Sequence, residues 1–139
     1  MVEIGNMLRD SFVEFMRSRN VDVVETEHNK FMFNARGIEL VCIFDDNDAS
    51  LVKLMAMNVI HIVDLADECF RLDEFVNHMN SKFKLVKTFI LHGYICMSID
   101  QIVYSQMFAD KVFERMIVTM VKVVGACLGN HVGNKNALM

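Results

Sequence analysis

Apolar residues near the start of the chain recur at intervals of three and four. This spacing is followed by Ile4, Leu8, Phe12, Phe15 and Met16. Residues spaced in this way share one face of an α-helix and form an amphipathic stripe. Two arginines follow, where cations favour the helix dipole. We therefore predict a first helix from about Glu3 to Arg19.

Beyond this helix, apolar residues no longer follow helical spacing but recur at every second position. Lys30–Ala35 alternates, with Phe31 and Phe33 on one side, whereas Ile38–Phe44 is apolar on both faces and is expected to lie centrally in the sheet. Arg36-Gly37 separates the two segments as a turn. Alternation of this kind is typical of β-strands, so the two segments predict a hairpin. Val21–Glu27 is β-branched but acidic, and we interpret it as an extended lead-in rather than a strand.

The segment Leu51–Val59 fits either a strand or a helix. A strand is favoured because the polar turn Asp45–Asp48 before it suits a hairpin. In addition, a helix beginning at Leu51 would run for more than roughly 30 residues without a cap. We therefore predict a third antiparallel strand here.

A second helix and a second hairpin follow. The helical stripe consists of Cys69, Leu72, Phe75, Val76, Met79 and Phe83, and Asp64 or Asp67 is the expected N-cap. Leu85–Leu91 and Tyr94–Val103 then flank His92-Gly93, where glycine accepts a positive φ. These patterns predict one helix and two paired strands.

The last helix is predicted from about Gln106 to Cys127. Its apolar residues cover about 160° of arc, wider than the ~100° stripe of an ordinary surface helix. The segment 129–139, rich in Gly and Asn, is expected to fray. The sequence thus predicts an α+β fold in the order α-β-β-β-α-β-β-α. One antiparallel sheet of about five strands and three helices would form a single domain over residues 1–128.

Composition narrows the classes of partner. The chain carries 14 basic and 18 acidic residues, a net charge of −4, whereas nucleic-acid binding requires a basic surface. We therefore expect no nucleic acid among its partners. We also expect no membrane, because no apolar run reaches the ~20 residues of a bilayer span. The four cysteines form no CxxC pair and lie in apolar runs, which predicts a reducing, cytoplasmic location without disulfides.

Candidate chemistry in the sequence is sparse. Asp46, Asp48 and Ser50 follow the first spacings of a calcium loop, but the glycine at its sixth position and the acid at its twelfth are missing. His61 precedes a group of acids (Asp64, Asp67 and Glu68) without a nucleophile or an oxyanion element. We therefore expect no catalytic residue, no metal site and no cofactor.

Three stretches together resemble the YbjN-like family, whose members are putative bacterial sensory-transduction regulators with a type III secretion chaperone-like fold. The first is the hairpin Phe31–Asp45, the second is Phe75–Asn80 with its Asn-x-x-Asn helix end, and the third is the hairpin at His92-Gly93 before a long helix. The resemblance implies a non-enzymatic protein-binding module, commonly dimeric. It also implies structural roles for Asn77 and Asn80, whose amides can end a helix and bridge to the next strand.

Surplus apolar residues mark a candidate interface. Phe70 lies about 160° from the stripe of the second helix, and the last helix has more apolar arc than one sheet face covers. The candidate interface residues are Phe70, Met107, Phe108 and Val118. We expect a homodimer, because a two-fold pairing would bury this surface.

Three functions are compatible with these patterns. The leading one is a cytoplasmic chaperone-like or regulatory module that binds another polypeptide. The second is a small-ligand sensor with an apolar pocket between sheet and helices. The third is a small hydrolase-type enzyme that uses His61 and its neighbouring acids.

Overall fold

The computed structural model describes residues 4–63 and 71–135 of the chain. In these residues three α-helices accompany six β-strands, which confirms the predicted α+β class. The elements follow the order α1 (Ile4–Ser18), β1 (Val24–Glu27), β2 (Lys30–Ala35), β3 (Ile38–Phe44), β4 (Leu51–His61), α2 (Leu72–Lys82), β5 (Lys87–Leu91), β6 (Tyr94–Ile102) and α3 (Ala109–Lys135).

The strands form one antiparallel sheet in the order β1-β2-β3-β4-β6-β5. The sheet has one strand more than predicted, because β1 occupies the segment interpreted as a lead-in. Val24 and Glu25 pair with Met32 and Phe31 of β2. All four residues of β1 are exposed, since an edge strand with no helix over it buries neither face.

Strand β4 confirms the strand predicted over Leu51–Val59 and extends it to His61. Its pairing with β6 shifts between Ala56 and Ile60, and Asn58 in this interval has a positive φ of 56°. Extra residues opposite a shorter partner segment form a bulge, which bends the strand locally. Ala56 and Ile60, which lie one on each side of the bulge, are both buried.

Helices α1 and α3 pack together over one face of the sheet. Phe12 of α1 is 1% exposed, and its ring lies 5.3 Å from that of Phe113 on α3. It also contacts three strand rings at 5.7–6.1 Å, those of Phe31, Phe33 and Phe44. This phenylalanine cluster joins both ends of the described chain to the sheet, and rings at such distances attract beyond their buried area.

The boundaries of the later helices differ from the prediction. Helix α2 begins at Leu72 after Arg71, which provides no side-chain cap; the expected caps Asp64 and Asp67 lie outside the described residues. A 3₁₀ turn (Gln106–Phe108) precedes α3. Helix α3 then continues to Lys135, into the segment predicted to fray. Residues 136–139 lie outside the part of the chain that the structure describes.

Candidate functional site

A groove of about 660 Å³ opens between the end of α1, the turn joining β2 to β3, and the middle of α3. We call it the α1–α3 groove. Its floor is apolar and consists of Phe15, Met16, Phe33, Ile117 and Val121. Its rim is mostly charged and includes Arg19, Arg36, Glu114, Lys122 and the apolar Val118. Such a volume falls within the roughly 300–1,000 Å³ of ligand pockets.

The floor exists because α3 is apolar over a wide arc. Phe15 and Met16 of α1 are buried, whereas Ile117 and Val121 of α3 are half-buried beside them. The sheet covers the inner side of α3, and these two residues lie on the flank of the helix that the sheet does not cover. Of the wide apolar arc of α3, the part that reaches the groove is therefore half-buried.

One ion pair joins two residues that line the groove. Arg19 Nη1 of α1 lies 2.8 Å from Glu114 Oε1 of α3, with both side chains about half exposed. The Arg19 guanidinium also lies 4.9 Å from the centroid of the Phe15 ring. A cation over an aromatic face at this distance is attracted to the ring, so this pair ties α1 to α3 above the apolar floor.

Two further cations of the rim have no such partner. Arg36 and Lys122 are exposed, and within the described part of the chain neither forms an ion pair. Arg36 has a φ of 52° and Gly37 a φ of 82°, the conformation of a two-residue hairpin turn that favours Asn-Gly. Arginine is an unfavourable choice for a left-handed position. The turn nevertheless presents a guanidinium at the edge of the groove.

Sequence reasoning missed Arg36 and Lys122 as site residues. The available signals were a lysine interrupting the apolar run Met116–Leu128 and an arginine where a turn prefers asparagine. These two residues come from distant elements, and only the packing of α3 against α1 brings them to one groove. No local spacing in the sequence could have indicated that they belong together.

The predicted interface residues fall on separate surfaces. Val118 is 50% exposed and lies on the rim of the groove. Met107 and Phe108 are 81% and 55% exposed in the 3₁₀ turn before α3. Phe70 lies outside the described residues. The structure therefore exposes three of the four candidates, and their role in an interface stays a prediction.

Asn80 has the bridging position expected of it. Its side-chain oxygen accepts from Thr88 N at 2.6 Å, and its Nδ2 donates to Thr88 O at 2.9 Å. The amide of α2 thereby satisfies both backbone groups of one residue on the edge strand β5. Asn77 is exposed on the same helix, and the described residues give its side chain no hydrogen bond.

His61 is engaged in local contacts at the end of β4. Its Nδ1 accepts a hydrogen bond from Val63 N at 3.1 Å, and its ring packs edge-on against Tyr94 with centroids 4.7 Å apart. The acids predicted to accompany it, Asp64, Asp67 and Glu68, lie outside the described residues. Among residues 4–63 and 71–135, no three His, Cys, Asp or Glu side chains are grouped to hold a metal ion.

Comparison with known proteins identifies a fold and no family. No protein-family model matches the chain, and no curated protein is similar to it in sequence. The chain is similar to a solved structure, that of an uncharacterized protein from Methanothermobacter thermautotrophicus, with a TM-score of 0.60. The match covers 89% of this chain and 99% of that chain at 8% identity. The two chains share a fold.

That likeness extends no further than the fold. At 8% identity, residues of one protein cannot be assigned roles from the other. The resemblance to the YbjN-like family stays a prediction. Within the described residues, no helix has both the length and the apolar content that a membrane span requires.

Proposed function

We propose that this protein is a non-enzymatic module that binds another polypeptide through the α1–α3 groove. The observation that carries the proposal is an apolar floor bordered by two cations, Arg36 and Lys122, for which the described residues supply no acid. Half-buried Ile117 and Val121 and exposed Val118 leave apolar surface beside these charges, as is found at binding sites.

The chemistry of the groove defines the segment that it would take. The floor requires apolar side chains, and the two cations require carboxylates at the edge of the same segment. An amphipathic helix with an acidic flank supplies both, in the helix-in-groove mode of peptide recognition. Because the protein as a whole is acidic, with a net charge of −4, this basic rim would distinguish the groove from the rest of the surface.

The test is a selection of peptides from a random display library against the folded protein. Enriched peptides are expected to combine apolar residues at helical spacing with Asp or Glu, and their binding is then measured by titration. Arg36→Glu should weaken binding on the order of ten-fold, because about 1.4 kcal/mol of attraction at the rim is lost or reversed. Lys84→Glu is the matched control, since it makes the same charge change on an exposed residue outside the groove.

Three results would contradict the proposal. One is a set of enriched peptides without acidic residues, which would show that the rim does not select charge. Another is equal weakening by Arg36→Glu and Lys84→Glu, which would show a general effect of net charge. The third is binding that is unaffected by either variant, which would place the peptide on another surface.

A small-ligand sensor is the second candidate, favoured by the groove volume of about 660 Å³. The same chemistry would then select an apolar chain with a carboxylate head. Decanoate is a suitable probe, and a ligand at a hundred times its dissociation constant adds about 2.7 kcal/mol of stability. A thermal shift with decanoate that Arg36→Glu abolishes would favour this function over peptide binding.

Several further predictions belong to this proposal. The chaperone-like and YbjN-like assignments, the cytoplasmic location and the absence of nucleic-acid partners follow from the sequence and from the resemblance. The Nδ1 of His61 accepts from Val63 N, which leaves only the Nε2 of this ring to contact a substrate.

A further inference from the structure

A single outward stripe runs along α3 and the turn before it. Its residues are separated by three or four positions, the spacing of one helix face. All of them are exposed, namely Met107, Lys111, Glu114, Val118, Lys122, Gly125 and Gly129. Within the described part of the chain this stripe has no element packed over it, and we call it the α3 stripe.

The α3 stripe is complementary to a second copy of itself that runs in the opposite direction. Val118 lies at its centre, with Glu114 four residues before it and Lys122 four residues after it. Seven residues away on either side lie Lys111 and Gly125. The outermost pair, eleven residues from the centre, is Met107 and Gly129. Each position therefore has a counterpart of opposite charge or of opposite size.

We propose that a second copy of this chain docks on the α3 stripe, with the two α3 helices antiparallel across a two-fold axis at Val118. The axis brings Glu114 of each copy against Lys122 of the other, so the same ion pair forms twice. At 1.5 Å per residue, each pair lies about 6 Å along the helix from the central Val118.

Charge fixes the direction of this pairing. A parallel arrangement of the helices would bring Glu114 against Glu114 and Lys122 against Lys122, which is repulsive. The antiparallel one pairs unlike charges at both positions. Glu114 already contacts Arg19 of its own chain at 2.8 Å, and its carboxylate has acceptor sites left for a second cation.

Side-chain size supports the same arrangement. A Cβ added at Gly125 or Gly129 would meet no atom of the described residues within 4 Å, so no contact among those residues requires glycine there. Glycine inside a helix is about 1 kcal/mol less favourable than alanine. In the antiparallel pair these gaps lie opposite Lys111 and Met107 of the second copy. Met107 is 81% exposed in the single chain.

The test uses two single charge reversals. Each variant alone should form a weaker dimer, and a mixture of the two variants should form the dimer again. Glu114→Lys places lysine against lysine at both ion pairs, and Lys122→Glu places glutamate against glutamate. Each variant alone should raise the dimer dissociation constant on the order of ten-fold or more. An equimolar mixture restores unlike charges at both positions, so a one-to-one heterodimer is expected. Native mass spectrometry identifies it by mass, and light scattering measures the assembly.

Several outcomes would overturn the proposal. They are a wild-type chain that is monomeric at high concentration, single reversals that dimerise like wild type, and a mixture of variants that stays monomeric. Restoration in the mixture also shows that both variants fold. Val118→Asp, which places two carboxylates on the axis, should give a monomer with an unchanged far-UV spectrum, and a dimer that tolerates this change would contradict the central position of Val118.

The α3 stripe shares Glu114, Val118 and Lys122 with the rim of the groove, so a dimer would cover one side of the groove and compete with a peptide there. Arg36→Glu reverses a charge of the groove that lies off the α3 stripe, so it should leave the dimer intact while weakening peptide binding. Loss of the dimer in this variant would place the interface at the turn between β2 and β3 and overturn the stripe. A monomeric wild type that still binds the selected peptides would overturn the dimer and leave the groove function standing.

Discussion

Replacing Asn80 by alanine should destabilise the fold far more than replacing its neighbour Asn77. The Asn80 amide makes two hydrogen bonds to the backbone of Thr88, at 2.6 and 2.9 Å. Thr88 is 2% exposed, so water does not replace the lost partner readily. Each buried backbone group left unpaired costs about 1–3 kcal/mol, and the two together should lower the free energy of unfolding by about 2–4 kcal/mol.

The assay is urea denaturation with thermal unfolding as a second measurement. For a chain of this size, about 3 kcal/mol should lower Tm by roughly 10 °C. Asn77→Ala is the matched control, because Asn77 is exposed on the same helix and its loss should change stability by less than about 0.5 kcal/mol.

An aspartate at position 80 separates the two bonds. Asn80→Asp keeps the acceptor for Thr88 N but removes the donor to Thr88 O, so about half of the alanine effect is expected. Amide exchange at Thr88 should be about 10- to 100-fold faster in Asn80→Ala. If Asn80→Ala and Asn77→Ala unfold at the same urea concentration, the bridge does not stabilise the edge strand and the reasoning is refuted.

Three further predictions concern the core, the thiols and His61. Phe12→Ala should lose about 3–5 kcal/mol, whereas Phe108→Ala, the same truncation at an exposed site, should lose less than about 1 kcal/mol; equal losses would contradict the phenylalanine cluster. Burial raises the pKa of Cys127 from 9.0 to about 12. This thiol should therefore not change stability below pH 9, and should reduce it by about 1.4 kcal/mol per pH unit between pH 9 and 12 as the unfolded chain ionises, which a Cys127→Ala comparison over this range checks. His61→Ala should leave any activity found in a substrate screen unchanged, and loss of such activity would favour an enzyme.

The sequence predicted most elements because their apolar periods are regular. Phe31 and Phe33 alternate with partly exposed residues as expected of β2, and Phe75 and Met79 are the buried residues of α2. Strand β1 was missed because no burial pattern marks it. Its four residues are exposed, and they join the sheet by pairing with β2 at its edge.

The groove could be predicted only in part. The wide apolar arc of α3 indicated surplus surface, and Val118 was among the predicted residues. The charges at its rim could not be predicted, because Arg19, Arg36 and Lys122 come from three elements that meet only after α1 packs on α3. Helix and strand periods report which face is buried, but they do not report which distant side chains share an opening.

The phenylalanine cluster also determines when the chain can complete its fold during synthesis. Phe12 and Phe113 are 101 residues apart in sequence, yet their rings lie 5.3 Å apart. At roughly 5–20 residues per second, a ribosome needs about 5–20 s to make the intervening chain. During that time α1 lacks α3, and the rings of Phe12, Phe31, Phe33 and Phe44 are not yet covered by Phe113. The nascent chain therefore exposes an aggregation-prone aromatic surface until α3 has been synthesised. A chaperone that binds unfolded chains would act during this interval.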